Sequence, residues 1–249
     1  MKNTFRSNLY VRLILFSFIF SMYSCITTKL EYDRMTGTDF PNQDTDSQGN
    51  TETLETIYAK SGHLLIVTED QTNIAALTGP ADPLDPDQYD YITAAELQTL
   101  ALANRTNPVD ADTTYKSSGD IDTRTYYIWG IVVDHYREYD DGTRSTGSMG
   151  LMFDPLLRSA FVNYYKNSTN SGSNDLYLRS TAHEIGHGFN LNHDDGDGVS
   201  TIMTRTGDID LLLYIYEFSA SSLDHLQNHI ESAVYPGIGA RDYDTPHIH

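Results

Sequence analysis

Residues 183–193 read HEIGHGFNLNH and contain three histidines and one glutamate. His183 and His187 are four residues apart, so on a helix they lie on one face, one turn from each other. Their imidazole nitrogens can then bind a single metal ion at about 2.0–2.1 Å. Glu184 is rotated by roughly 100° from His183, and its longer side chain reaches beside such an ion, where it can accept a proton from a bound water. The segment therefore predicts a metal site on a helix.

His193 supplies a third nitrogen if the chain turns sharply after Phe189. Three neutral imidazoles leave a fourth coordination position for water, which is typical of a catalytic rather than a structural zinc site. Imidazole ligands also favour zinc over calcium or magnesium. The alternative interpretation is that the two helix histidines have ordinary hydrogen-bond partners and that His193 is an unrelated loop residue.

The same stretch resembles the H-E-x-x-H-x-x-G-x-x-H signature of the metzincin zinc endopeptidases, and the resemblance covers residues 183–203. Met203, ten residues after His193 in STIMT, matches the methionine turn of that family. The resemblance implies hydrolysis of peptide bonds in a protein or peptide substrate, with Glu184 as general base and Met203 as an apolar floor beneath the metal. The zinc ligands that it implies are His183, His187 and His193.

The resemblance also implies how a substrate lies. An extended peptide would pair with an exposed sheet edge. The family's edge strand directly precedes the active-site helix, which favours RSAFVNYY (158–165) as a strand. The apolar stretch LLLYIY (211–216) would line the pocket for the residue that follows the cleaved bond. The alternative is that this stretch belongs to the core.

Three features depart from the family pattern. Asn190 replaces the glycine at which the chain leaves the active-site helix. That turn needs a positive φ, and asparagine is the residue other than glycine that best tolerates it. Arg205 stands where some members have a tyrosine that assists the transition state, so that role is either vacant or filled by a residue that the sequence does not identify. No pro-domain is recognisable.

Apolar patterns along the chain predict strands at HLLIVTED (63–70), TYYIWGIVVDHY (125–136) and SMGLMF (148–153). Helices are predicted at residues 92–104, 174–191 and 218–237. Thr93 with Glu96, and Ser221 with Asp224, are predicted caps of the first and last helices. The expected fold class is α+β. The resemblance adds a metzincin-like catalytic domain, in which a twisted mixed β-sheet packs against helices that include the active-site helix and a C-terminal helix.

The N-terminus has the pattern of a targeting segment. Basic residues precede the apolar run LILFSFIFSMY (13–23), which is too short to span a bilayer as a helix, and we assign residues 1–24 to a signal peptide. Cys25, after the small Ser24, resembles the lipidated cysteine of bacterial lipoproteins. The alternatives are an ordinary signal peptide with an incidental cysteine or an uncleaved anchor. We expect an exported protein, at the outer membrane or cell surface if lipidated and periplasmic or secreted otherwise.

The stretch after the cysteine is polar and acidic and lacks apolar periodicity, so residues 25–56 are predicted to be a flexible tether. An aspartate of this tether, such as Asp33 or Asp39, could fold back and cap the metal in a latent form. A zinc metallopeptidase domain would then span residues 57–249, with an N-terminal subdomain of about 57–190 and a C-terminal subdomain of about 191–249.

The composition restricts the partners. A net charge of −19 over 249 residues argues against nucleic acid, because no basic surface is available to displace phosphate counterions. The same charge opposes binding to anionic lipid, so contact with a membrane is expected only through the lipid anchor. With one cysteine, the chain has no intramolecular disulfide. We expect a monomer.

The loop HDDGDG (193–198) places Asp194 beside a predicted ligand, where its carboxylate could orient an imidazole. The loop's aspartates could also bind Ca²⁺, although their spacing differs from an EF-hand loop, and an ordinary acidic turn is the simpler interpretation.

His225 and His229 repeat the four-residue spacing opposite the apolar stripe of the last helix, so they are predicted to face solvent.

Two other functions compete with the endopeptidase hypothesis. In a gluzincin-type peptidase, Glu217 would replace His193 as the third ligand. Alternatively, an exported zinc-containing lipoprotein could bind glycans or proteins without peptidase activity. Glu184 argues against the second alternative, because a purely structural zinc site has no use for a base that is not a ligand.

Overall fold

The computed structural model describes residues 27–76, 84, 90–106, 125–152, 159–170, 176–194, 200–210 and 212–228. Several predicted features lie outside these residues: the signal peptide, Cys25, Asp195, Asp197 and His229.

These ranges contain strands and helices in an interleaved order. The strands are β1 (Thr27–Arg34), β2 (Asp44–Thr45), β3 (Thr51–Glu52), β4 (Leu64–Glu69), β5 (Tyr91–Thr93), β6 (Thr125–Val133), β7 (Tyr136–Glu138), β8 (Arg144–Ser145), β9 (Gly150–Met152) and β10 (Ala160–Tyr164). The helices are α1 (Leu54–Lys60), α2 (Ala94–Asn104), α3 (Tyr165–Asn170), α4 (Leu176–Gly188) and α5 (Ala220–Asn228), with a 3-10 helix at Thr206–Asp208.

A five-stranded sheet with the order β4-β1-β6-β10-β9 organises the fold. The first four strands of this order pair in parallel, whereas β9 pairs antiparallel with β10 and forms an edge. Parallel neighbours need crossover connections, and α1 lies in the connection between β1 and β4. A mixed sheet with several helices is compatible with the predicted α+β class.

The central strand β6 explains why the sheet is buried on both faces. Its residues alternate between two apolar clusters. Ile128 faces the cluster that contains Ile185 of α4, whereas Trp129 and Ile131 face the cluster that contains Leu97 of α2. The prediction that TYYIWGIVV forms a strand covered on both faces is therefore confirmed. Helix α4, which carries the predicted site, belongs to the first cluster.

The N-terminal segment is part of the folded structure, so the predicted flexible tether at residues 25–56 is wrong for residues 27–56. Strand β1 lies between β4 and β6 in the sheet. Leu30 and Tyr32 are buried on one of its faces, and the acidic side chains of the other face are buried too. The Trp129 Nε1–H donates a hydrogen bond to Asp33 (2.8 Å), so Asp33 serves the core and does not cap the histidines.

The segment after β1 also forms hydrogen bonds with the residues that follow the predicted methionine turn. The hydroxyl groups of Tyr214 and Tyr216 donate to Asp44 Oδ2 at 3.3 and 2.5 Å. Both tyrosines are buried, whereas Leu212 and Leu213 are 83% and 55% exposed. The two tyrosines of LLLYIY therefore belong to the core, and the exposed side chains among the described residues of this stretch are Leu212 and Leu213.

The predicted helix starts are confirmed in one case and wrong in the other. Thr93 and Glu96 form the predicted capping box of α2. Helix α5 begins at Ala220, where Ser219 Oγ accepts a hydrogen bond from the backbone N–H of Ser222 (3.1 Å), so the predicted Ser221–Asp224 cap is wrong. None of the helices within the described ranges is long and apolar enough to cross a membrane.

His63 is a buried titratable group that links stability to pH. Its ring packs edge-on against Phe189, with 5.1 Å between the ring centroids. Burial, reinforced by the nearby His225, lowers the pKa of His63 to about 4, and a hydrogen bond with the Ser61 carbonyl opposes the shift. In an unfolded chain the pKa of histidine is about 6.5. At a pH between these two pKa values, His63 is therefore protonated in the unfolded chain and neutral in the folded protein.

We expect His63 to make the protein less stable in mild acid. Its contribution is complete above about pH 6.5 and is lost as the pH falls toward 4, so the free energy of unfolding should drop by roughly 2 kcal/mol between pH 7 and pH 5 because of this residue. Urea unfolding of the wild type and His63→Phe at both pH values measures this effect. An equal pH dependence in the two proteins would contradict it.

Candidate metal centre

Helix α4 carries the first two predicted ligands and is buried along its whole length. Tyr58 of α1 donates a hydrogen bond to the Ala182 carbonyl (2.7 Å). From the sheet side, Asn163 of β10 donates to Thr181 Oγ1 (2.8 Å). The helix is therefore fixed from two sides directly before His183.

The chain reverses at the end of α4, as predicted. Asn190 has a φ of 58°, the only positive φ among the described residues other than glycine. The backbone N–H of Asn190 donates to the His187 carbonyl (2.9 Å), and that of Leu191 donates to the Gly186 carbonyl (3.0 Å). These two bonds form a Schellman motif, with asparagine at the position that glycine usually occupies. The reversal directs the following residues back toward the helix.

The reversal brings the three predicted ligand histidines together. The Nε2 atom of His183 lies 3.1 Å from Nε2 of His187 and 3.1 Å from Nε2 of His193. The three side chains form one of the two groups in the described part of the chain whose ligand atoms lie close enough to hold a metal ion. His183 and His187 are buried, and His193 is half-buried.

Backbone carbonyls orient the two helix imidazoles. The Nδ1–H of His183 donates to the Ile202 carbonyl (2.8 Å), and the Nδ1–H of His187 donates to the Leu191 carbonyl (2.9 Å). A carbonyl can only accept, so each Nδ1 carries the proton and each Nε2 keeps its lone pair. Burial and the neighbouring His187 and Arg179 lower the pKa of His183 well below its usual value, which favours the neutral form that a metal ligand requires.

This donor set fits a zinc ion. Tetrahedral ligands at 2.0–2.1 Å from one ion are separated by about 3.3–3.4 Å, close to the two observed Nε2 separations. The fit is complete for His183 and His187. At His193, Nδ1 accepts a hydrogen bond from Nε of Arg205 (3.2 Å). A neutral imidazole that accepts at Nδ1 carries its proton on Nε2, so binding of a metal through Nε2 requires that the contact with Arg205 be given up. Arg205 is exposed, and the loss of this contact costs little.

Glu184 lies against the edge strand β9. The backbone N–H of Met152 donates a hydrogen bond to its carboxylate. A Cβ placed on Gly150 would come within 2.6 Å of the Glu184 side chain, so glycine is required for this contact. Burial raises the pKa of Glu184 to about 8, while the charges of Arg137 and Arg179 and the Met152 hydrogen bond act in the opposite direction. A buried carboxylate with a pKa near neutrality can both take up and release a proton.

The edge strand differs from the one expected. RSAFVNYY does contain a strand, β10, but β10 has neighbours on both sides and cannot offer an edge. The described neighbour of β9 is β10 alone, so β9 is the edge beside Glu184. Its short sequence, Gly150–Met152, follows a turn and carries no signal that distinguishes an edge from an inner strand.

Met203 packs beneath the turn of α4 that separates the two histidines. Its side chain is fully buried. A Cβ placed on Gly186 would come within 2.4 Å of Met203 Sδ, so the sulfur fills the space that a side chain at Gly186 would occupy. Sequence reasoning singled out Met203 but missed Gly186 and Gly150. Their positions, directly between the histidines and on the strand beside the glutamate, acquire meaning only from the contacts.

The described hydrogen bonds of the Asp194 carboxylate go to hydroxyl groups and not to an imidazole. Its carboxylate accepts hydrogen bonds from Thr201 Oγ1 (2.8 Å) and Ser222 Oγ (3.1 Å). Its backbone N–H donates to the Met203 carbonyl (3.0 Å). Asp194 therefore fixes the turn at residues 200–204 and the start of α5, and the imidazoles of His183 and His187 are oriented by backbone carbonyls instead.

Two further predicted residues, Glu217 and His225, do not belong to the group formed by the three ligand histidines. Glu217 is exposed, and its carbonyl accepts a hydrogen bond from the Ile202 N–H (3.0 Å). His225 is half-buried and its Nε2 lies 3.2 Å from the Phe189 carbonyl, so the prediction that it simply faces solvent is wrong. The four-residue spacing of His225 and His229 does not predict that His225 contacts the residue directly after α4.

A comparison with models of protein families finds no match, and a comparison with curated protein sequences finds no relative. The evidence for function therefore lies in the geometry of the site and in the motif of residues 183–203.

We expect Asn190→Val to lower the free energy of unfolding by roughly 1–2 kcal/mol, because a β-branched residue strongly disfavours a positive φ. Asn190→Gly is the matched control and should leave stability within about 0.5 kcal/mol of the wild type. Urea unfolding of the metal-free proteins measures both changes. Equal stability of the valine and glycine variants would show that the reversal does not need a left-handed residue.

Proposed function

We propose that the protein is a zinc-dependent endopeptidase of the metzincin type. The observation that carries the proposal is the convergence of three imidazole Nε2 atoms next to a glutamate that is not one of the three ligands and that is packed against a sheet edge. The turn carrying Met203 beneath the histidines supports the same class. A structural zinc site would not need a buried carboxylate in this position.

A zinc ion held by His183, His187 and His193 would lower the pKa of a bound water and polarise the peptide carbonyl. The residues of the chain then have separate tasks. The Glu184 carboxylate takes a proton from the attacking water and returns it to the leaving amine. The carbonyls of Ile202 and Leu191 keep the first two ligands in the tautomer that presents Nε2. The charges of Arg137 and Arg179 favour the ionised form of Glu184 that acts as the base.

The substrate would be an extended stretch of protein that adds to the sheet beside β9. Backbone hydrogen bonds to an edge strand give affinity without a demand on sequence, which suits an endopeptidase. Because Glu184 contacts Gly150 and Met152 of this strand, a peptide paired there would pass close to the base. The exposed Leu212 and Leu213 would offer apolar contact to the side chain that follows the cleaved bond.

The proposed setting is that of an exported monomer. The pattern of residues 1–24 and Cys25 supports a signal peptide followed by a lipid anchor, which would hold the enzyme at the outer membrane or cell surface. The substrate would then be a protein or peptide outside the cytoplasm. The net charge of −19 supports a function without nucleic acid.

The two alternatives gain nothing from the described contacts. In the gluzincin alternative Glu217 would bind the metal, but His193 is the residue that lies at 3.1 Å from His183. In the alternative of a zinc-containing binding lipoprotein, the close packing of Glu184 against Gly150 would have no purpose. Calcium binding at residues 193–198 gains no support, since Asp194 is engaged by Thr201 and Ser222.

We expect the purified wild type to contain one zinc ion and to cleave a broad peptide library. Glu184→Gln should retain the zinc and lose at least about 10³-fold in kcat/KM, because the proton acceptor is gone. A chelator should abolish cleavage, and added zinc should restore it. Mass spectrometry of the digests and metal analysis measure these effects.

Glu217→Gln is the control for the gluzincin alternative and should retain both zinc and cleavage. Cleavage that persists in Glu184→Gln and in chelator would refute the proposal. Zinc-loaded wild type that cleaves nothing would favour the binding lipoprotein.

We expect Gly150→Ala to lower kcat by about tenfold or more while zinc content stays constant, because the added methyl group displaces the Glu184 carboxylate from the Met152 N–H. Gly147→Ala is the matched control, since a Cβ there meets no atom within 4 Å. Steady-state kinetics and metal analysis of both variants measure the difference. Equal activity in the two variants would separate Gly150 from the reaction.

A further inference from the structure

Arg179 is a buried cation one helical turn before His183. It is 1% exposed, and its Nη2 atom donates to the carbonyls of Thr201 (3.1 Å), Ile202 (3.0 Å) and Thr204. One guanidinium nitrogen thus joins α4 to the turn at residues 200–204, which also carries Met203. Neither the motif nor the resemblance singled out this residue.

The Ile202 carbonyl is shared between Arg179 and a ligand. It accepts the Nδ1–H of His183 at 2.8 Å and the Nη2–H of Arg179 at 3.0 Å, so both of its lone pairs are used. The backbone N–H of Ile202 donates to the Glu217 carbonyl (3.0 Å), which fixes the other side of the peptide. The direction of this carbonyl determines both the tautomer of His183 and the direction of its Nε2.

Stability alone does not account for a cation at this position. Among the described residues, Arg179 takes part in no salt bridge, and its Nε lacks a hydrogen-bond partner. A buried charge without a paired carboxylate is costly, and apolar replacement of buried ionic groups is often neutral or stabilising. The three carbonyls that Arg179 holds all belong to the turn whose central residue orients His183.

We propose that Arg179 is a positioning residue for the metal centre, which holds the Ile202 carbonyl so that His183 presents Nε2 to the ion. This inference deepens the proposed function and rests on it for the identity of the metal. Arg179 touches neither the metal site nor a substrate directly. The proposed effect passes through the Ile202 peptide group, and it is distinct both from the effect of the Arg179 charge on the pKa values of His183 and Glu184 and from the packing of Met203.

The test measures metal affinity and ligand geometry in the full protein. Arg179→Met keeps most of the side-chain volume and removes all donors, so we expect a 10- to 100-fold loss of zinc affinity in competition with a chromophoric chelator. In the Co²⁺-substituted variant the visible absorption bands should shift, and the ¹⁵N chemical shifts of the His183 ring should move away from the Nδ1–H tautomer. Arg179→Lys, which retains the charge and donors, should recover part of the affinity.

Tyr58→Phe is the matched control. It removes a buried hydrogen bond to the same helix, at Ala182, without touching the Ile202 carbonyl. We expect it to lower stability and to leave zinc affinity and the Co²⁺ spectrum close to those of the wild type. Should Arg179→Met fail to fold, Arg179→Gln, whose amide is too short to reach all three carbonyls, is expected to lose affinity in the same direction.

Folded Arg179→Met or Arg179→Gln with wild-type zinc affinity and an unchanged Co²⁺ spectrum would overturn the proposal and leave Arg179 as a clamp for stability only. Failure of both variants to fold even with zinc would do the same. A wild type that binds zinc but cleaves no peptide would refute the endopeptidase proposal without affecting this one. A wild type that binds no zinc would refute both.

Discussion

The reversal of the chain at Asn190 is the constraint on which the candidate metal centre depends. If α4 continued as a helix, the six residues from His187 to His193 would carry the third imidazole about 9 Å along the axis, away from the other two. The positive φ of Asn190 instead returns the chain, and Nε2 of His193 lies 3.1 Å from that of His183. The same reversal turns the Leu191 carbonyl toward Nδ1 of His187. One backbone conformation thus places one ligand and orients another.

The orientation of the helix imidazoles depends on main-chain oxygens, which no side-chain substitution at Ile202 or Leu191 removes. The substitutions that disturb these carbonyls are therefore expected at the residues that determine the backbone conformation around Ile202 and Leu191. Gly186 allows the turn carrying Met203 to approach α4, and Asp194 ties that turn to α5 through Thr201 and Ser222. A search for polar side chains beside the histidines would overlook this support, because most of it is main chain.

The local features of the fold could be predicted from sequence, whereas features that depend on distant partners could not. The capping box of Thr93 and Glu96 and the turn at Asn190 follow from neighbouring residues, and both were predicted correctly. The acidic strand β1 was missed because Glu31 and Asp33 are stabilised by partners far along the chain, such as Trp129 for Asp33 and the Thr106 N–H for Glu31. Composition alone makes such a segment resemble a solvated one.

The same distinction applies to the site. The histidines and Glu184 are recognisable from their spacing, since helical geometry determines their relation. The edge strand β9, Gly150 and Arg179 are defined by contacts between elements that are separated in sequence, and no periodicity marks them. The sequence also pointed to Asp194, and not to backbone carbonyls, as the group that orients an imidazole. The reason is the same, because the path of a turn in three dimensions determines which hydrogen-bond partners meet across it.

The location of β1 between β4 and β6 has a consequence for how the polypeptide acquires its structure. β1 is synthesised before the other described strands and can pair with β4 early, but its second partner, Thr125–Val133, becomes available only after about a hundred further residues have been made. Contacts of such high sequence separation form slowly, and the edge of β1 that later pairs with β6 can associate with other chains in the interval. The charge of the acidic residues of β1 opposes that association during the interval, and the hydrogen bond from Trp129 to Asp33 forms only when β6 pairs with β1.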